Sequence, residues 1–458
     1  MQSITFRHKN NKLLNLAPTK IIVLSFAILI LLGTLLLMLP IASRDGKSIG
    51  FINALFTATS ASCVTGLVVV DTYNHWTIFG QLVIISLIQV GGLGIVTMAS
   101  FFSVLLGRKM SIRGMVLAQE SINHFSFEGI LRLIRRVITV TFGIELIGAL
   151  LLSTRFIPMF GLKGLYFGFF HSISAFCNAG FDLMGAMGKG SFVSLTYFNN
   201  DPIILYTIAM LIVVGGLGFV VWKDLYEYRR GSGLMLHTKL VLIITASLII
   251  LGSILFFIFE YSNPLTMGKL DLFGKINASI FQSVTPRTAG YNSLPLNEMS
   301  EISKFLTIAL MFIGAAPGST AGGIKVTTFG VIIFAIISQI QGSEDTIILK
   351  RRVPHYIVNK ALAITGLGMA VVLTITTIIL AVENKPFINV LYEVTSAYGT
   401  VGLTTGMTPS LHTLSKLLLS LAMFLGRVGP VSFAIALTLK SHKRVSDVVY
   451  PEGKIIVG

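Results

Sequence analysis

Ala397-Tyr398-Gly399-Thr400-Val401-Gly402-Leu403 stands between an apolar run that ends near Glu383 and another that begins near Leu411. A Thr-Val-Gly sequence can turn successive backbone carbonyl oxygens towards a dehydrated ion. Glycine suits that task because it reaches backbone angles that strain other residues, and it places no Cβ against the ion. Taken alone, the tripeptide fits an ordinary turn at least as well. It does not stand alone. Cys63-Val64-Thr65-Gly66-Leu67, Cys177-Asn178-Ala179-Gly180-Phe181 and Arg287-Thr288-Ala289-Gly290-Tyr291 occupy matching positions earlier in the chain. Gly66 to Gly180 spans 114 residues, Gly180 to Gly290 spans 110 and Gly290 to Gly402 spans 112. Four small polar turns at a near-constant period mark an internal array.

What surrounds the turns is strongly apolar. Hydrophobic residues make up 53% of the chain and charged residues only 12%, with a mean hydropathy of +0.83, far from a soluble average. The formal charge of +16 could suggest a nucleic-acid partner. The basic residues, however, are spread over the polar gaps between long apolar runs, so the charge reads as membrane topology and no nucleic-acid partner is expected. Cys63 and Cys177, the two cysteines, both fall inside turns, which argues against a disulfide framework.

Each turn sits in the same setting. Residues 1–20 form a basic N-terminus, and Ile21–Leu39 is about long enough to cross a bilayer core of roughly 30 Å. Phe51–Ser62 is apolar but too short to span, the turn follows, and Thr77–Leu106 reads as a second span. The pattern is span, half-span, turn, span. It recurs as Leu131–Leu152, Leu165–Phe176 and Pro202–Trp222, and then as Leu240–Phe259 and Leu272–Val284, followed by a helix from Phe305 that is soon interrupted. The last unit runs Ile357–Val382, Ile388–Ser396 and Leu411–Leu439. This divides the chain into repeats at 21–106, 107–224, 225–340 and 341–439, with a C-terminal tail at 440–458.

A unit that crosses twice starts and finishes on one side, so all four half-spans enter from the same face. Lysine and arginine decide which face that is. They gather in the short connectors between units: Arg7, Lys9, Lys12 and Lys20; Arg108, Lys109, Arg113, Arg132, Arg135 and Arg136; Lys223, Arg229, Arg230 and Lys239; Lys350, Arg351, Arg352 and Lys360; Lys440, Lys443, Arg444 and Lys454. The positive-inside rule then makes both termini cytoplasmic and brings the turns in from outside. The expected fold is an all-α polytopic membrane protein in which four tandem helix–pore-loop–helix repeats surround a pseudo-fourfold pore. Irregular backbone survives at membrane depth only when buried in protein or lining a wet path. A ring of carbonyls there can replace the hydration shell of a monovalent cation. The turns contain no ring of Asp or Glu, which disfavours a divalent ion.

The chain resembles the Ktr/Trk/HKT superfamily of potassium transporters over nearly its whole length, most closely the Ktr-type membrane subunit. The resemblance rests on the four turns, especially Thr285-Pro286-Arg287-Thr288-Ala289-Gly290 and Thr400-Val401-Gly402-Leu403. It also rests on Gly314-Ala315-Ala316-Pro317-Gly318-Ser319-Thr320-Ala321-Gly322-Gly323-Ile324-Lys325 and on Gly426-Arg427-Val428-Gly429-Pro430. It implies that Gly66, Gly180, Gly290 and Gly402 mark potassium preference. The selectivity filter would comprise Val64, Thr65 and Gly66; Asn178, Ala179 and Gly180; Thr288, Ala289 and Gly290; Thr400, Val401 and Gly402. The residue after each glycine departs from a full channel filter, which implies fewer coordination layers.

Gly314–Lys325 forces a break where the third unit's second helix should cross the membrane centre. Pro317 removes a backbone donor, and Gly314, Gly318, Gly322 and Gly323 lower helix stability. Ser319 and Thr320 can satisfy the freed carbonyls. The resemblance makes this stretch, through Lys325, an intramembrane gate below the filter, with Arg427 near it. Arg427 lies sixteen residues into the last long helix, where an unpaired guanidinium is expensive and usually functional. Glu145 is also at membrane depth, with no evident partner. Val90-Gly91-Gly92-Leu93-Gly94 and Val214-Gly215-Gly216-Leu217-Gly218 read first as close helix packing and second as hinges.

His171, His355 and His412 are isolated, and no zinc, nucleotide-binding or nucleophile motif is present, so no enzyme and no cofactor are expected. The resemblance further implies a homodimer in membrane lipid above a cytosolic ring of nucleotide-binding (RCK/KTN-type) regulatory subunits. Three readings follow. The first is a gated potassium uptake subunit of the cell membrane. The second is a sodium-dependent or sodium-permeable transporter of the same fold, with sodium as a coupling or activating ion. The third is a non-transporting assembly protein.

Overall fold

A computed structural model of the chain describes residues 18–94, 97, 98, 130–229, 231 and 233–429. Expectations for Arg7, Lys9, Lys12, Arg108, Lys109, Arg113, Arg230, Lys440, Lys443, Arg444 and Lys454 lie outside those residues, as does the last span beyond Gly429. Among the described residues, the regular elements are helices apart from one hairpin. The first unit comprises α1 (Pro18–Leu37), the short α2 (Phe51–Ser62) and α3 (Ile78–Leu93). The second comprises α4 (Ile130–Phe160), α5 (Lys163–Phe176), α6 (Pro202–Gly216) and α7 (Phe219–Tyr228). The third comprises α8 (Leu236–Glu260), α9 (Leu272–Val284), α10 (Glu301–Phe312) and α11 (Val326–Ile340). The hairpin β1 (Thr346–Ile348) and β2 (Arg351–Val353) then leads into α12 (His355–Val382), α13 (Phe387–Gly399) and α14 (Thr413–Val428).

Among the described residues, α1, α4, α8 and α12 are long and apolar enough to cross a membrane. They show the outside what a lipid phase tolerates: Leu31, Leu32 and Leu35 on α1, Ile250, Leu251 and Ile254 on α8, Met369 and Leu373 on α12. The short helices α2, α5, α9 and α13 form the inner layer. Ala54, Phe56 and Ala58, then Phe167 and Phe170, then Phe281, then Val390 and Val394 are all buried. Polar caps start the inner strokes of several second helices. Asp201 accepts from the amides of Ile203 (3.1 Å) and Ile204 (3.3 Å) ahead of α6, with Pro202 at the first position, where its missing N–H does no harm. Thr77 and Ser300 cap α3 and α10 in the same way.

One expectation about the spans needs correction. Thr77–Leu106, Pro202–Trp222 and Leu411–Leu439 are not continuous spans. In each, the helix stops at Leu93, Gly216 or Val428, and a glycine follows with nearly the same backbone angles: Gly94 at φ 84°, Gly218 at φ 89° and Gly429 at φ 90°. The second unit turns by 93° at its break. Among the described residues, the second helices of the first, second and fourth units therefore end at a glycine in the left-handed region, and that of the third ends at Phe312, ahead of the Gly314–Lys325 stretch. The connector at Lys350 carries the hairpin. There Leu349 and Lys350, both at positive φ, close the two-residue turn of the hairpin.

Candidate functional site

The four turns meet, and their glycines close a ring. A Cβ placed on Gly180 would lie 2.6 Å from the carbonyl oxygen of Ala289, and one on Gly290 would lie 2.6 Å from that of Val401. At Gly66 and Gly402 it would come closer still, to the carbonyls of Ala179 and Thr65. The order is cyclic: 66 faces 180, 180 faces 290, 290 faces 402, and 402 faces 66. No residue but glycine fits those places.

The backbone repeats around the ring. Two residues before each glycine, Val64, Asn178, Thr288 and Thr400 all adopt left-handed angles (φ 58°, 61°, 66° and 51°). Each costs on the order of 1–3 kcal/mol for a residue with a side chain, so the surroundings must enforce it. Part of the enforcement is visible. The amides of Thr65, Ala179 and Val401 reach back to the carbonyls of Ser60, Ser174 and Ser396, each at 2.8 Å. The hydroxyls of Ser60 and Ser396 accept from the amides of Gly66 (3.0 Å) and Gly402 (3.1 Å). Ser174 and Thr285 instead donate to the carbonyls of Phe181 (2.8 Å) and Tyr291 (2.5 Å).

The third turn departs in one respect, since the Ala289 amide bonds Thr285 at 3.0 Å, one residue nearer. Its Arg287 points away from the ring to Thr245 Oγ1 (3.2 Å). Asn178 is oriented so that its amide nitrogen meets the carbonyls of Ala175, Phe176 and Ile212 at 3.2–3.3 Å, while its oxygen accepts from Thr288 Oγ1 at 3.3 Å. His171 is structural: Nδ1 meets Phe167 O (2.7 Å) and Nε2 meets the Leu183 amide (3.2 Å).

Beside the ring, the Gly314–Lys325 segment forms a closed loop. Its ends are pinned by a parallel bridge between Ile313 and Ile324, with the Gly314 amide 2.7 Å from Ile324 O. Ser319 Oγ donates to Ala316 O at 2.7 Å, and Lys325 Nζ donates to Ala321 O at 2.7 Å and Gly322 O at 3.3 Å. The second unit's break is its seat. Ala316 N and Thr320 N bond the carbonyls of Gly216 (3.0 Å) and Gly215 (3.3 Å), Thr320 Oγ1 bonds Phe176 O (3.1 Å), and Phe219 N bonds Gly318 O (2.9 Å). A Cβ on Gly218 would lie 2.6 Å from Pro317 O. The fourth unit holds the other side: Gly323 N bonds Gly426 O (3.3 Å), and Gly322 packs on the Thr400 side chain.

Arg427 completes the network. It lies in the last turn of α14 beside the Gly429 break, not deep inside an unbroken helix as its sequence position suggests. Its guanidinium donates to Thr320 O on the loop and to Gly91 O and Gly92 O, the latter at 3.0 Å. Backbone atoms of all four units are thereby tied into one plug next to the glycine ring.

Sequence reasoning missed two parts of this. It read Gly91–Gly94 and Gly215–Gly218 as packing, whereas their carbonyls also hold Arg427 and the loop. It missed Ser60, Ser174, Ser396 and Thr285, although a hydroxyl residue five or six places before every glycine was there to be seen. Packing is nonetheless severe. A Cβ on Gly91, Gly215 or Gly426 would collide with the carbonyl oxygen of Ser62, Phe176 or Tyr398, while one on Gly143 meets nothing within 4 Å. Each of the three Gly→Ala substitutions should lower the thermal midpoint of the purified chain by several degrees, with Gly143→Ala near wild type. Equal midpoints in all four would show that these helix crossings have slack.

Comparison with known proteins gives the family and the fold. The model of the TrkH family, described as cation transport protein, matches residues 2–446. The Ktr system potassium uptake protein B of Bacillus subtilis is 41% identical over 98% of this chain and 98% of its own length. The potassium/sodium uptake protein NtpJ of Enterococcus hirae is 39% identical over 97% of this chain and 98% of its own. The crystal structure of the potassium transporter TrkH from Vibrio parahaemolyticus superposes with a TM-score of 0.73 at 17% identity, covering 95% of this chain and 87% of that one.

Proposed function

The chain belongs to the TrkH family of cation transport proteins, and we propose that it is the potassium-translocating subunit of a Ktr-type uptake system. The carrying observation is the closed ring of four glycines, each lying against a backbone carbonyl of a neighbouring turn: those of Thr65, Ala179, Ala289 and Val401. Carbonyl dipoles replace the hydration shell of a monovalent cation at little cost only if they are held in place beforehand. The left-handed residues and serine clamps hold them. Below the ring, the Gly314–Lys325 loop and Arg427 act as the gate.

Transport needs no enzyme. One charge moved through about 100 mV is worth roughly 2.3 kcal/mol, which supports an accumulation on the order of fiftyfold through a passive path. Regulation comes from a cytosolic ring of nucleotide-binding subunits beneath a homodimer in the cell membrane, with both termini cytoplasmic. The connectors are basic, and Lys350, Arg351 and Arg352 stand exposed on the hairpin. Charge reversal at Arg108, Lys109 and Arg113, or at Lys443 and Arg444, should weaken co-purification of that partner and steepen its salt dependence. Association that is equal at low and high salt would remove these residues from the interface.

Expression in a cell that lacks potassium uptake tests the function itself. Growth on low potassium should be restored with or without sodium. Restoration only when sodium is supplied would favour the second reading, sodium-coupled or sodium-permeable transport, which the name of the Enterococcus hirae relative supports.

A further inference from the structure

We propose that Glu145 is a positioning residue: it anchors the end of α3 so that the carbonyls of Gly91 and Gly92 can receive Arg427. The proposal rests on the gate described above. Glu145 lies in the middle of α4 and is only 3% exposed. Among the described residues, its carboxylate meets neutral groups. Gln89 Nε2 donates to Oε1 at 3.1 Å and to Oε2 at 3.3 Å, and Cys177 Sγ lies 4.0 Å from Oε1. An amide and a thiol are a poor ligand set for a hard metal cation, which seeks several oxygens. Both partners are well placed to transmit position.

Gln89 belongs to α3, two and three residues before the two glycines whose carbonyls hold the guanidinium. These are among the last carbonyls of the helix, which have no partner within it and depend on outside donors. Cys177 comes directly before the left-handed Asn178 of the second turn, and its sulfur also meets Gln89 Oε1 at 3.7 Å. A Cβ on Gly92 would lie 2.8 Å from that same sulfur. Glu145, Gln89, Cys177 and Gly92 therefore form one packed block between α4, the second turn and the end of α3. α4 itself is tied to α5 at this level, since Ser172 Oγ donates to the Glu145 carbonyl at 2.6 Å. The block gives α3 a fixed end point, and Arg427 reads it.

The test uses the full chain in liposomes without any partner, with two readouts: rubidium flux and amide hydrogen exchange over residues 89–94. Glu145→Ala should speed exchange there and raise flux about fivefold or more. Glu145→Gln should leave both near wild type, because it keeps an oxygen facing Gln89. Gln89→Ala should reproduce Glu145→Ala from the other side of the contact, and it serves if the first variant fails to insert. Combined with Arg427→Ala, Glu145→Ala should add no further flux, since the latch is already gone. Unchanged exchange in folded Glu145→Ala and Gln89→Ala, or fully additive flux in the double variant, overturns the anchor. Wild-type flux in Arg427→Ala alone overturns the gate instead, and the anchor is then judged on exchange.

Discussion

Gly402→Ser is expected to cut the preference for potassium over sodium by about tenfold or more, with Gly66→Ser close behind. These are the two positions where an added Cβ comes nearest the neighbouring carbonyl, Thr65 O for Gly402 and Ala179 O for Gly66. A side chain must either push that carbonyl out of the ring or leave the left-handed region (φ 90° and 97°) that aims its own turn. Either change widens or unbalances the coordination shell on which selectivity depends. Gly180→Ser and Gly290→Ser, with 2.6 Å to the facing carbonyl, should act in the same direction and less strongly. Competition of sodium against rubidium uptake measures all four. Wild-type preference in every variant would mean that the ring is not where the ion is chosen.

Deleting Ala316–Ala321 should raise flux without a partner at least tenfold. The deletion removes the loop's bonds to Gly215, Gly216, Phe176 and Phe219, together with the Thr320 carbonyl that Arg427 holds. At about 0.5–1.5 kcal/mol each, these sum to a few kcal/mol, enough to keep a two-state element almost wholly closed and still within reach of a regulatory partner. Arg427→Ala should move flux the same way by a smaller amount, because the seat on α6 remains. Selectivity should stay near wild type in both, since neither change touches the clamps of the glycine ring. A folded, inserted deletion variant that conducts no faster than wild type would rule the loop out as the gate.

The ring was legible because its signal is periodic. Four short apolar segments, each ending in a small polar turn, can be counted without knowing where they meet. Phe51–Ser62 and Leu272–Val284 lie where the hydropathy places them. The interruption at Pro317 was legible for a different reason, since proline excludes helix by its covalent structure. The other three breaks were not. Gly94, Gly218 and Gly429 are compositionally the same as glycines that let helices pack, and only the angle φ separates a packing glycine from one that ends a helix. Arg427 misled for the same cause: counted along an unbroken helix it is deep, but beside a break it lies at a helix end. Glu145 had no visible partner because Gln89 is 56 residues away in the chain and belongs to a different unit.

The most direct test of the account joins its two halves in one protein. The chain lacking Ala316–Ala321, reconstituted alone, is placed under opposing potassium and sodium gradients and its reversal potential is read. A potential close to the potassium equilibrium value is predicted, from a path permanently open yet still selective. A potential midway between the two ions, or no current from inserted protein, would contradict the division of labour between a glycine ring that selects and a loop that closes.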